Sequence, residues 1–190
     1  MNVRVSGQQQ RARQTREAIL RAAETLFAQK GFAATTLSEI AAAAGVGKGT
    51  VLAHFAEKLS IFASSLAVRM RQASAAIMAS DGGAPGLVAA IEPLFADMVA
   101  DPAAIELMTS DTSDTCYHDL MPDFLRLQQA LVARLTHAGQ GQPELAAEAL
   151  MAVTLSHAVD TRCRLQAAEA GMDMTRALAH LAALFAFILR

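Results

Sequence analysis

The sequence contains no tryptophan and one tyrosine, and its 11 glycines and 5 prolines are few for 190 residues. With so few helix breakers, a modest β-branched and aromatic content, and abundant alanine and leucine, the composition points to an all-α protein. Cysteine is limited to Cys116 and Cys163, 47 residues apart, and no cationic start followed by an apolar signal core opens the chain,. A reducing, cytoplasmic setting is therefore expected. Long apolar runs are missing too. Ala177 to Leu189 spans only thirteen residues and includes His180, short of the roughly 18–20 needed to cross a bilayer, so it reads as a helix buried among helices and no membrane partner is expected. What is plentiful is apolar side chain, at 53% of residues, enough for one large domain or a small one fused to a medium one.

The net charge of −2 hides an asymmetry. Residues 1–60 hold eight Lys/Arg against four Glu, a balance of +4, which leaves −6 on the remainder. A basic N-terminal module that meets a polyanion, joined to an acidic body with another task, fits this division.

The first nine residues are polar and are expected to fray. From Gln10 the pattern turns helical: Ile19, Ala23, Leu26, Phe27 and Lys30 recur at spacings of three and four and draw one stripe along a helix that stops at Gly31,. Gly31 suits the left-handed position past a helix end, with Phe32 folded back on Phe27. Thr36-Leu37-Ser38-Glu39 has the form of a capping box and starts a second helix, 37–44. Gly45 breaks it, and a third short helix begins near Gly47 and continues to about His54. Two short helices joined through a glycine turn, behind a longer supporting helix, make a helix-turn-helix layout. Ala41 and Ala44 allow the close crossing, and Ile40, Val46, Val51 and Phe55 supply the inner apolar face.

This layout accounts for the three glycines of "IAAAAGVGKGTVLAHF", residues 40–55. Gly45 permits the positive backbone angle of the turn. Gly47 and Gly49 place no side chain between the third helix and a neighbour, while Lys48 adds a cation where phosphates approach. A phosphate-binding P-loop is a poor alternative. Its spacing and preceding buried strand are missing, and Lys48 is followed by glycine rather than Ser/Thr.

The run "AILRAAETLFAQKGFAATTLSEIAAAAGVGKGTVLAHFAEKLSIF", residues 18–62, resembles the DNA-binding domain of the TetR (tetracycline repressor) family of transcriptional regulators. The matching features are Ala-Ala-x-x-Leu-Phe, the Gly-Phe step, the paired threonines, Ile-Ala-x-x-Ala-Gly-Val across the turn, and His54-Phe55 followed by Lys58. The resemblance implies an N-terminal three-helix helix-turn-helix domain, residues 10–56, and a C-terminal helical effector-binding and dimerisation domain, residues 57–190, with about nine helices in all. It assigns duplex DNA contacts to Thr36, Gly47, Lys48, Gly49, Thr50, Leu52, His54 and Lys58. Leu52 departs from the tyrosine common at its position, which removes a phenol but leaves a side chain able to touch a thymine methyl. Arg11, Arg13 and Arg16 resemble a basic arm. Reading enough bases calls for a dimer with its two recognition helices about 34–36 Å apart and an inverted-repeat operator.

Further helices are expected at 57–80, 84–100 with Pro93 inside, 102–110, 122–138, 143–170 and 174–189, separated by turn-prone stretches such as "SDTSDTCYHD" (110–119),. The last two are expected to form the homodimer surface through Leu145, Ala149, Met151, Val153, Ala177, Leu178, Leu181, Leu184, Phe185 and Ile188, pairing into a four-helix bundle. Candidates for a partly apolar small-molecule effector site are Phe95, Met98, Met108, Tyr117, Met121, Phe124, Leu125, Gln128 and His157. An effector that prefers a conformer with misplaced recognition helices lowers DNA affinity by the same coupling factor, with the helix from Lys58 as lever.

Enzyme and metal readings are weaker. Asp111, Asp114 and His118, or Cys163 with His157, lack tight spacing for a metal. Cys116 near His118, or His157 near Asp160, lacks a surrounding oxyanion motif. No catalytic residue, metal or cofactor is assigned. The runner-up is a helical protein-interaction adaptor with a degenerate helix-turn-helix, and the favoured reading is a ligand-responsive repressor.

Overall fold

The computed structural model describes residues 3–109 and 115–190, with side chains placed for 7–109 and 120–190. The described residues form nine helices and no strand: α1 (Val3–Ala34), α2 (Leu37–Ala43), α3 (Lys48–His54), α4 (Lys58–Ala79), α5 (Ala84–Ala100), α6 (Pro102–Thr109), α7 (Thr115–His137), α8 (Pro143–Gln166) and α9 (Met174–Ile188). They divide into two compact units, residues 1–65 and 66–190. The division falls inside α4, past the expected boundary at 56/57, because Ile61 and Phe62 at the start of α4 belong to the first unit's apolar interior.

In the first unit, Ile19, Leu20 and Ala23 of α1, Ile40 and Ala41 of α2, Val51 of α3, then Phe55 and Ile61 form one buried cluster. These positions follow helical spacing, so each short helix turns a single apolar edge inward. Helix α1 begins at Val3 rather than Gln10. Gly31 breaks its end at φ 81°. Phe32 then returns to Phe27 with ring centroids 5.7 Å apart, and both rings meet Phe62 at 5.3 and 5.0 Å. The capping box forms as expected: Glu39 N donates to Thr36 Oγ1 at 3.3 Å, and Thr36 N donates to Glu39 Oε2 at 2.8 Å.

In the second unit, α5 carries the most buried face, with Leu87, Ile91, Leu94, Phe95 and Met98 turned inward. Pro93 sits inside it; Pro93 and Ala89 are both exposed, so the carbonyl left without its amide partner lies on the solvent side,. Helix α7 starts at Thr115, seven residues before the expected Pro122, which lies within it. The second half of the polar 110–119 segment is thus helical, and a proline read as a start is tolerated early in the helix. Helix α8 stops at Gln166 rather than Ala170. There Ala168 takes φ 51° and Arg164 grips Glu169 through two hydrogen bonds of 2.7 and 2.5 Å, turning the chain back. Among the described residues, no single helix is long and apolar enough to cross a membrane.

Candidate functional site

Helices α2 and α3 are joined by the turn at Gly45, which has φ 68°; Val46 N donates back to Ala41 O at 3.0 Å to close it. Val51 of α3 is fully buried, and Phe55, 4% exposed, caps the helix from beneath. Anchoring α3 on this edge turns the opposite edge out. Lys48, Gly49, Thr50, Leu52 and Ala53 are all exposed, as are Gly47 and Thr36, and His54 is half-buried. A Cβ placed on Gly49 would meet nothing within 4 Å, and one on Gly47 would only reach Thr50 Oγ1 at 4.0 Å. The interior of this protein therefore does not require glycine at either position, unlike Gly45, whose backbone angle does.

The structure gives Lys58 a different setting from the one expected. Its ammonium donates to the carbonyls of Phe32, Thr35 and Ala33 at 2.6, 2.8 and 3.3 Å and lies 4.2 Å above the Phe32 ring. Those carbonyls end α1 and lead into α2, so Lys58 ties the supporting helix to α4 with all three of its protons engaged. Arg16 is likewise committed: its guanidinium lies 4.5 Å over the Phe55 ring and donates to Ser64 Oγ at 3.0 Å. Arg11 and Arg13 are exposed on α1 itself rather than on an extended arm. Lys30 pairs with Glu39 at 2.5 Å. That hydrogen bond, followed by those from Thr36, lowers the Glu39 carboxyl pKa from 4.5 to about 2.

The second unit contains a cavity of about 190 Å³. Ile91, Leu94 and Met98 of α5, Met108 of α6, Phe124, Leu127 and Leu131 of α7, Leu150, Met151, Ala152, Thr154 and Leu155 of α8, and Phe185 of α9 line it. Among the described residues the wall holds no charged side chain, and Thr154 supplies its one hydroxyl, which donates to Leu150 O at 2.7 Å.

Three of the candidate effector residues, Met98, Met108 and Phe124, are in this wall. Phe95 is fully buried behind it, stacked on His157 at 5.6 Å, and His157 Nε2 bonds Ala177 O at 2.9 Å. Both are core side chains. Met121, Leu125 and Gln128 lie to the side of the α7 face that runs through Phe124, Leu127 and Leu131, and Leu125 is 46% exposed. Tyr117, with Asp111, Asp114, Cys116 and His118, falls outside the described side chains. The missed wall residues were within reach of the spacing rule: Leu127 and Leu131 follow Phe124 at i+3 and i+7, and Leu94 and Ile91 precede Met98 by four and seven residues.

The α8 and α9 positions also divide. Ala177, Leu181 and Phe185 are buried within the unit, and Met151 and Phe185 line the cavity. The outward edge of α8 carries Leu145, Ser156 and Val159, with Ala149 half-buried and the exposed Ala152 where this edge meets the cavity wall, and α9 presents Ala179, Ala183 and Phe187, the last 71% exposed. Two ion pairs tie α4 to the rest of this unit: Arg69 to Asp97 of α5 at 3.2 Å, and Arg71 to the buried Asp123 of α7 at 2.5 Å, which Arg126 also bonds. Burial raises the Asp97 pKa against the pull of Arg69. Arg162 of α8 donates to Val99 O and Ala100 O at 2.9 and 2.8 Å and closes the end of α5.

Comparison with known proteins follows the same division. The family model described as bacterial regulatory proteins, tetR family, matches residues 19–64. The transcriptional repressor BepR of Brucella suis is 53% identical over 53 residues, which are 28% of this chain and 25% of BepR. The matched stretch thus spans about a quarter of that curated relative. A TetR-family regulator structure from Mesorhizobium loti has a TM-score of 0.63 at 22% identity and covers 94% of this chain and 96% of its own. SmeT, the repressor of the Stenotrophomonas maltophilia efflux pump SmeDEF, has a TM-score of 0.57 at 24% identity, covering 90% and 87%. These structural likenesses extend the fold over both units. Residues 19–64, which build the helix-turn-helix, thus match the tetR family of bacterial regulatory proteins.

Proposed function

We propose that this protein is a cytoplasmic, ligand-responsive transcriptional repressor that binds an inverted-repeat duplex as a homodimer. The observation that carries the reading is α3: a seven-residue helix pinned by Val51 and Phe55, with Lys48, Gly49, Thr50 and Leu52 on its open edge and Thr36 at the start of α2. A helix so placed fits the major groove. In this reading Lys48 meets phosphate, Gly47 and Gly49 let the backbone approach, and His54 stands at the groove's edge. Lys58 acts by fixing the end of α1, without touching DNA.

The dimer forms through the outward edges of α8 and α9. On α8, Leu145, Ala149, Ala152, Ser156 and Val159 recur at alternating steps of four and three, the repeat that keeps one seam facing a partner helix,. The effector is an apolar small molecule held in the carbon-lined cavity. SmeT has been solved with triclosan, and a Bacillus subtilis FadR of related fold with stearoyl-CoA, so bound molecules with large apolar parts occur among the structural neighbours.

The test is retention of random-sequence duplex DNA by the full chain at rising salt. Enrichment of an inverted repeat, with affinity falling steeply as salt rises, supports the reading. Indifference to duplex DNA at low salt refutes it and favours the adaptor, for which an exposed Leu52 is an equally good contact.

A further inference from the structure

The outward edge of α3 has an unusual chemical make-up. Successive helical residues turn by about 100°, so the sector opposite the inward Val51 holds Gly49 and Ala53, with Leu52 on one side of it and Thr50 on the other, each about 100° from Val51. Gly49, Ala53 and Leu52 are exposed, Leu52 at 44%, and none of the three carries a side-chain donor or acceptor. Thr50 borders this apolar run on one side, and Lys48, beyond Leu52, on the other.

A polar reading edge discriminates bases by hydrogen bonds to N7, O6, N6, N4 or O4. The central edge of α3 cannot. One base-specific group in the major groove answers to an apolar contact, the 5-methyl of thymine. Resting on the DNA-binding reading above, we infer that α3 recognises thymine methyl groups through Leu52, with Gly49 and Ala53 allowing the approach, and that Lys48 and Thr50 supply positioning contacts to the backbone. Sequence preference then centres on at least one thymine in each half-site, and replacing it by uracil, which lacks only that methyl, removes the contact while keeping the base pair.

The experiment uses the full chain and the duplex it enriches from a random pool, with fluorescence anisotropy as the readout. Each thymine is replaced by uracil in turn. Burial of one methyl corresponds to about a fourfold change in affinity, and the two symmetric half-sites together to about fifteenfold. Leu52→Ala brings the thymine-to-uracil ratio to about one. Because Leu52 is outside the core, this variant keeps its fold, which a thermal melt checks. Reselection with Leu52→Gln moves the preferred base from thymine towards adenine, the usual partner of a glutamine amide. Lys48→Ala weakens thymine and uracil duplexes by the same factor.

An enriched site without thymine in its half-sites overturns the inference, as does unchanged affinity when every thymine is replaced, or a methyl effect that survives Leu52→Ala. Those outcomes leave DNA binding standing. Failure to retain any duplex at low salt removes both readings together.

Discussion

Gly49→Ala separates what the fold requires from what the partner requires. Gly49 is the second residue of α3, its backbone is outside the left-handed region, and a Cβ there meets nothing within 4 Å. Alanine fits the free protein without strain and restricts the unfolded chain more than glycine, so the variant gains about 0.5–1 kcal/mol. For a unit of this size that is a rise of a few degrees in melting temperature. On the proposed reading the same methyl stands on the edge that faces the groove. If the backbone lies against the bases there, overfilling costs roughly 1–3 kcal/mol, a loss of about five- to a hundredfold in affinity for the selected duplex. Gly45→Ala is the counterpart. Its surroundings are also open, but at φ 68° a side chain costs about 1–2 kcal/mol, and the residue is in the turn rather than on the reading edge,. The two variants should therefore move stability and affinity in opposite patterns, read by thermal melts and anisotropy. A Gly49→Ala protein that binds the duplex as tightly as the parent, or that melts lower, refutes the placement of α3.

Other perturbations probe the supports of this edge. Lys58→Met removes the ammonium held by three carbonyls and should cost about 2–3 kcal/mol in urea unfolding of the first unit. The salt slope of DNA binding is unchanged in that variant, whereas Lys48→Ala lowers it by about one per protomer. The Glu39 carboxyl has its pKa depressed from 4.5 to about 2 by Lys30 and the Thr36 cap; its contribution is complete above 4.5 and is lost as pH falls towards 2,. Melts across that window should show a decline that Glu39→Gln lacks. In the second unit, Met151→Trp fills part of the cavity wall and should abolish the fluorescence gain of a neutral apolar probe such as N-phenyl-1-naphthylamine. Duplex affinity in the absence of probe is kept.

The parts legible in the sequence are those fixed by neighbours along the chain. Capping chemistry acts over three residues, so Thr36 and Glu39 announced α2 directly, and the left-handed glycines at 31 and 45 marked two breaks before any tertiary contact was known. Apolar spacing chose the inner edge of each short helix for the same reason. It could not say which of several inward edges borders empty space. Phe95 and Met98 are adjacent on one buried face, yet Met98 lines the cavity and Phe95 fills the space against His157. That difference is set by side chains contributed from α7, α8 and α9, far away in sequence. Lys58 shows the same limit in reverse. A cation near a recognition helix reads as a phosphate ligand, because the carbonyls of Phe32, Ala33 and Thr35 become its partners only when the chain has folded back over more than twenty residues. Charge alone thus does not tell a cation with internal acceptors from one left outward. Counting which cations remain outward once internal acceptors are satisfied leaves Lys48 as the exposed cation of α3, beside an edge of glycine, leucine and alanine. On the proposed reading the cations set affinity and its salt dependence, while the edge of glycine, leucine and alanine adds selectivity through shape and methyl contact, which the thymine-to-uracil exchange tests more directly than the loss of any single cation.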